Sequence, residues 1–296
     1  MQRRLRLFAL ATLIVWGSLI GFNHWRADAA DIHLRPPGDM FERGPYTYRV
    51  KEQWRASDQP VPAPAINPYV RPEFAHEMRN LQPAILAAAA RHNHPQISGM
   101  SDHDFAVLIA LLMYNEHFGW FEERVTPVQL FTPLYEDLQR ETNQAGISNL
   151  SVWPANIRPS VAIEILRGQV PLPRSTGVMT VPMTIAGSTL NIKSYPSTQE
   201  LYAAVSHEIA DPALAVEYLA ANLERGLYRA QAEHVVVTWR ALAAWHNQGI
   251  VSPSDLRKNP TAADYVRRAS AYFATARALI DLPERHVPAW KLAIGD

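Results

Sequence analysis

Glu116 is a carboxylate at a position where a helix would otherwise continue an apolar stripe. Phe105, Leu108, Ile109 and Leu112 recur at three- and four-residue spacing behind Ser101 and Asp102, and Glu116 is the next residue on that face. A carboxylate so placed is expected to be paired, neutral or employed in chemistry. Desolvation disfavours the charged form, and a carboxyl kept protonated near neutral pH suits a general acid that protonates a leaving oxygen. The plainer reading is a surface glutamate at a frayed helix end, with Glu122 and Glu123 continuing an acidic loop beyond Gly119. On the first reading Glu122 is the reserve acid.

The same neighbourhood holds His92, His94, Asp102, His103, Asp104 and His117, all residue types that bind metal ions. No H-E-x-x-H spacing joins them, and a helix end followed by a polar Asn-His-Pro loop supplies such residues without any metal site. No metal and no cofactor is expected, and a His/Asp metalloenzyme is the weaker alternative. The chain has no cysteine, which excludes disulfide frameworks, thiolate zinc sites and cysteine nucleophiles.

The elements that must position these residues read as helices. With 296 residues, 48% of them hydrophobic, the chain can bury a sizeable core as one large domain or one domain with appendages. The 28 Lys and Arg residues balance 28 Asp and Glu residues, so the global basic footprint of a nucleic-acid binder is missing and no nucleic-acid partner is expected. Helical patterning runs through 74–92, 102–118, 127–140, 159–167, 198–209, 212–225, 228–247 and 262–280. Between the fourth and fifth of these, 177–193 alternates around Ala186-Gly187-Ser188 as a β-hairpin would. The expected architecture is mainly α, with a small β-hairpin insertion at about 176–194.

Ahead of the helices, Met1-Gln-Arg-Arg-Leu-Arg precedes an uncharged, mostly apolar run from Leu7 to Phe22. This pattern predicts an export signal or a membrane anchor over 1–30, with Arg3, Arg4 and Arg6 kept on the cytoplasmic side and the remainder outside. Residues 31–70 carry Pro36, Pro37, Pro45, Pro60, Pro62, Pro64 and Pro68 with little apolar periodicity, as an extended tether or surface arm would. The helical domain is expected over 71–296.

Four separated segments share an order with one family. Glu116 ends a helix; Trp153-Pro-Ala-Asn-Ile-Arg-Pro-Ser-Val-Ala162 resembles the G-L-M-Q-x-x-P-x-T-A segment of lytic transglycosylases and goose-type lysozymes, with Asn156 on the glutamine and Pro159 on the proline. Asp211-Pro-Ala-Leu-Ala-Val-Glu-Tyr-Leu-Ala-Ala-Asn-Leu223 is similar to the family's D-P-x-x-N-I-x-x-G-x-x-Y-L helix, and Ala241-Leu-Ala-Ala-Trp-His-Asn247 to its A-L-A-A-Y-N motif. The chain departs from the family at motif positions. His117 stands where a serine follows the catalytic glutamate, Trp153 replaces glycine, Asn156 replaces glutamine, Ala215 replaces asparagine, and His246 replaces the last asparagine.

The resemblance implies a lysozyme-like helical fold and cleavage of the β-1,4 bond between N-acetylmuramic acid and N-acetylglucosamine in bacterial peptidoglycan. It makes Glu116 the single catalytic acid. In the transglycosylase branch Glu116 then serves as the base that lets the muramic 6-hydroxyl close a 1,6-anhydro ring, unlike the usual pair of carboxylates. Asn156, Trp245, His246, His117 and Trp153 become the expected sugar-binding residues, with Trp245 stacking on a pyranose face. Trp153 and Trp245 equally suit core or loop-wall positions, since aromatics of helical proteins pack inside. The implied partners are peptidoglycan glycan strands and, through the N-terminal segment, the membrane. A different class is also open: a non-catalytic wall-binding or scaffold protein that keeps the groove without turnover.

Overall fold

The computed structural model describes residues 68–117, 132–145, 149–172 and 177–283. The N-terminal apolar run, nearly all of the proline-rich arm, and Glu122 with its neighbours lie outside the described residues. Within them the protein is mainly helical with one small antiparallel sheet, and no described helix is long and apolar enough to cross a membrane.

The order is α1 (Pro72–His92), α2 (Pro95–Ser98), α3 (Asp102–Glu116), α4 (Thr132–Gln144), α5 (Pro159–Leu166), β1 (Gln169–Pro171) and β2 (Val178–Thr180). Then follow α6 (Thr198–Glu208), α7 (Pro212–Glu233), α8 (Trp239–Gln248), α9 (Pro253–Lys258), α10 (Pro260–Ala271) and α11 (Phe273–Ile280). Pro72, Pro95, Pro159, Pro212, Pro253 and Pro260 each open a helix, where the missing N–H has no intrahelical partner to lose. Side chains satisfy several of the remaining free donors: Ser101 Oγ accepts from the Asp104 amide at 3.1 Å, and Asp211 Oδ1 accepts from Ala213 and Leu214 at 2.9 and 3.0 Å.

Helix α3 is the centre of the molecule. The periodicity predicts one buried stripe, but every residue from Phe105 to Glu116 is buried. The run Phe-Ala-Val-Leu-Ile-Ala-Leu-Leu-Met-Tyr is apolar all round, and such a helix is stable only when neighbours cover every side. Helices α1, α10 and α11 pack against it, while α7 lies along α1 and carries α8 on its far part. Each fully buried Leu or Ile contributes about 1.5–3 kcal/mol, so α3 is a large share of the hydrophobic stabilisation.

Several sequence expectations change; the helix expected over 262–280, for one, is two, α10 and α11, parting at Tyr272. The pattern predicts a break near Gly226, yet α7 runs unbroken through it to Glu233 and turns at His234 in the left-handed region, φ 53°. Gly226 permits a close crossing instead: a Cβ there would stand 2.7 Å from Leu242 Cδ2 and 3.5 Å from Trp245 Cε3, both on α8. The expected hairpin around Ala186-Gly187-Ser188 is also absent. β2 pairs upstream with β1, Val170 opposite Met179, and Val181 donates to Gly168 O at 2.8 Å. Pro182 has no N–H and ends the ladder there.

Candidate functional site

Four distant parts of the chain meet at the C-terminal end of α3. Glu116 is the last residue of that helix and only 8% exposed. Asn156 Nδ2 donates to Glu116 Oε2 at 2.8 Å and to the Glu116 carbonyl at 3.1 Å. The phenol of Tyr265, on α10, donates to Glu116 Oε1. His246 Nε2, in the last turn of α8, stands 3.4 Å from the same oxygen, with its side chain 2% exposed.

Local structure explains how each reaches the carboxylate. Val152 N donates to Ile157 O at 2.9 Å, which closes the 152–157 turn, and Asn156 sits in it at φ 50°. Asparagine is among the few residues that adopt this left-handed conformation readily. Thr238 Oγ1 accepts from Ala241 N at 3.1 Å and starts α8, whose buried residues Ala241, Leu242, Ala244 and Trp245 fix its rotation. His246 is thereby turned towards Glu116.

Of the states the sequence leaves open for Glu116, paired, neutral or employed, the electrostatics favour the paired one over the neutral one. Burial alone pushes the Glu116 carboxyl up, but hydrogen bonds from His246, Tyr265 and Asn156, and the charge of His246 whenever its ring is protonated, outweigh it. The carboxyl is held below its ordinary range, because donors that stabilise the anion act in a site with little competing water. The Tyr265 hydroxyl moves the other way, well above the ordinary tyrosine range, through burial and the adjacent Glu116 charge.

A cleft of about 290 Å³ opens beside this cluster, lined among others by Asn156, Arg158, Glu164, Asn222, Arg225 and His246. Glu116 is not among the lining residues but contacts two of them, Asn156 and His246. The cleft wall continues the polar network: Asn222 Nδ2 is 3.3 Å from His246 Nδ1, and Arg225 Nη1 donates to Asn222 Oδ1 at 3.0 Å. Arg225 Nη2 also reaches Glu164 at 2.5 Å and its Nε reaches Gln169 O at 2.8 Å.

Three of the sequence-expected binding residues take other places. Trp245 is 1% exposed and its indole N–H donates to Val251 O at 3.0 Å, so it is a core residue and no sugar platform. His117 has no exposed surface: its ring stacks on Phe74 with centroids 4.8 Å apart, and Nδ1 contacts the Tyr114 carbonyl. Burial pushes its pKa down to about 4, so it is neutral. Trp153 is half-buried with its ring 5.7 Å from that of Phe74, away from the cleft lining. Asn156 and His246 do meet at Glu116. Tyr265, Asn222 and Arg225 join them without having been singled out in the sequence. The signal for Asn222 was a polar residue between Leu219 and Leu223 on the buried side of α7; Tyr265 offered none, because it fits the apolar face of α10.

The histidines and acids near residue 100 disperse. His103 pairs with Asp281 at 2.8 Å on the surface, and Asn93 donates to Asp102 at 2.8 Å. His92 and His94 turn to Glu217 and Glu224 of α7. Among the described residues no group of three or more is arranged to hold a metal ion. Comparison of the chain with protein-family models, with curated proteins and with solved structures found no match.

Proposed function

We propose that this protein cleaves peptidoglycan glycan strands in the manner of a lytic transglycosylase or muramidase, on a lysozyme-like helical domain, with Glu116 as its one essential carboxyl. The observation that carries the reading is convergence. Asn156 and His246 stand within 3.4 Å of Glu116, the three being marked by separate motif resemblances, and Asn156 and His246 line one cleft. The bond attacked is the β-1,4 linkage between N-acetylmuramic acid and N-acetylglucosamine. The protein works outside the cytoplasmic membrane, secreted or held there by its N-terminal segment, with glycan strands as partners and no nucleic acid.

On this reading the resting carboxylate is ionised and poised as a base or as a charge facing an oxocarbenium-like transition state. A sugar hydroxyl or acetamido group that draws the Asn156 amide away from Glu116 removes one donor and excludes water. Both changes move the carboxyl up, towards the protonated form needed to protonate the glycosidic oxygen. Asn156 and Arg158, both in the cleft lining, are the polar groups this reading sets against the sugar.

A second reading, a wall-binding scaffold without turnover, is favoured by one specific observation: Glu116 is deeply placed and already engaged with Asn156, Tyr265 and His246. Incubating the full-length chain with purified peptidoglycan and weighing the released fragments separates the readings. Anhydro-muropeptides support a transglycosylase and reducing ends a muramidase. Retention on the wall without release of fragments supports the scaffold.

A further inference from the structure

Arginine carries only donors, so the oxygen of the Asn222 amide must face Arg225 and its nitrogen must face His246. Arg225 is itself immobilised, 2% exposed and held by Glu164 and the Gln169 carbonyl. The amide therefore has one satisfied orientation, in which Nδ2–H points at His246 Nδ1. A ring nitrogen facing a donor must offer its lone pair, and in neutral imidazole the other nitrogen then bears the hydrogen. The other nitrogen, Nε2, is the one 3.4 Å from Glu116 Oε1.

We propose that Arg225 and Asn222 form a positioning relay that sets His246 as the neutral Nε2–H tautomer, so that the ring donates to the Glu116 carboxylate. An imidazolium would oppose Nδ1–H to the amide N–H; the other neutral tautomer would add a lone pair against the carboxylate. Both arrangements place like against like in a buried site, where an unmet polar group is destabilising. The donors then run in one direction, from Arg225 through Asn222 and His246 to Glu116. His246 orients and stabilises the carboxylate and holds no spare proton to pass on. The chemical consequence rests on the glycan-cleaving reading, whereas the tautomer does not.

The test is long-range proton–nitrogen NMR at neutral pH on the full-length chain, isotopically labelled at histidine. The His246 signals are identified by their loss in His246→Gln. The wild-type ring is expected to show an unprotonated Nδ1 and a protonated Nε2. Asn222→Asp exchanges the donor for an acceptor and is expected to bring a proton onto Nδ1. Arg225→Lys, which keeps a donor towards Asn222 Oδ1, is expected to retain the wild-type pattern and serves as the variant to measure if Asn222→Asp fails to fold. A protonated Nδ1 in the wild type, an unchanged ring in a folded Asn222→Asp, or a protonated Nδ1 in a folded Arg225→Lys overturns the relay. Because the readout is a ring proton and not turnover, failure of the relay and failure of the glycan-cleaving reading are seen separately.

Discussion

Glu116 carries its charge because its neighbours were selected as donors, and each can be removed singly. The Tyr265 hydroxyl stabilises the anion, so Tyr265→Phe raises the Glu116 pKa relative to wild type. If Glu116 must be protonated to act, activity falls as pH rises through its pKa. The variant is then expected to stay active to higher pH, which a pH–rate profile on peptidoglycan reads directly. A shift of the acidic limb alone would instead make Glu116 purely a base. His117 yields a stability prediction, because its pKa falls from 6.5 in a free histidine to about 4 in the fold. Its neutral form contributes stability that is complete above about pH 6.5 and is lost as pH falls towards 4, about 3 kcal/mol in all. Denaturant unfolding across that window should show the loss in the wild type and its absence in His117→Phe. The type and place of Glu116 were legible in the sequence, but the sign of its pKa shift was not: burial argues upward, and the donors that reverse it come from residues 40 to 149 positions away.

At the scale of elements, the junction of α1 with α7 depends on a buried charged cluster. His92 Nδ1 lies 2.8 Å from Glu224 and Nε2 lies 3.1 Å from Glu217, while His94 reaches Glu224 at 2.6 Å and Arg91 also contacts Glu217. His92 thus stands between two carboxylates that lie two turns apart on one face of α7. His92→Ala removes the imidazole from both buried carboxylates, and a buried polar group left without its partner costs about 1–3 kcal/mol, more when charged. The midpoint of urea unfolding should fall accordingly; a change below about 1 kcal/mol would mean that water or Arg91 replaces the imidazole. Pattern reading placed these histidines near a possible metal site because α7 and its acids are more than a hundred residues away in sequence. Helix identities were legible where proline, a capping side chain and apolar spacing agreed, as at Asp211-Pro212, and where proline and apolar spacing agreed without a cap, as at Pro159. They were misjudged at Gly226, where a glycine that serves a helix crossing looks the same in sequence as one that ends a helix.

Among the described residues the helices pack round α3, an apolar helix that delivers a carboxylate to the polar seam between the 152–157 turn, α8 and α10. Mainly helical architecture was legible from periodicity alone. The strand pairing was not, since β1 is three residues long and its register depends on Gly168 and Pro182 more than on alternation. The cleft, too, was only half legible: motif positions indicated Asn156 and His246, while packing moved Trp245 and His117 into the core, as large rings next to apolar helices tend to do. On the proposed function one carboxylate does chemistry in that seam. Glu116→Gln is nearly isosteric, so the direct measurement is release of soluble muropeptides from purified peptidoglycan by wild type and variant, beside retention of each on insoluble wall. The wild type is expected to release muropeptides, Glu116→Gln to release them at least about two orders of magnitude more slowly, as removal of an essential acid–base group entails, and both to be retained equally. Equal release by the two proteins would contradict this role for Glu116.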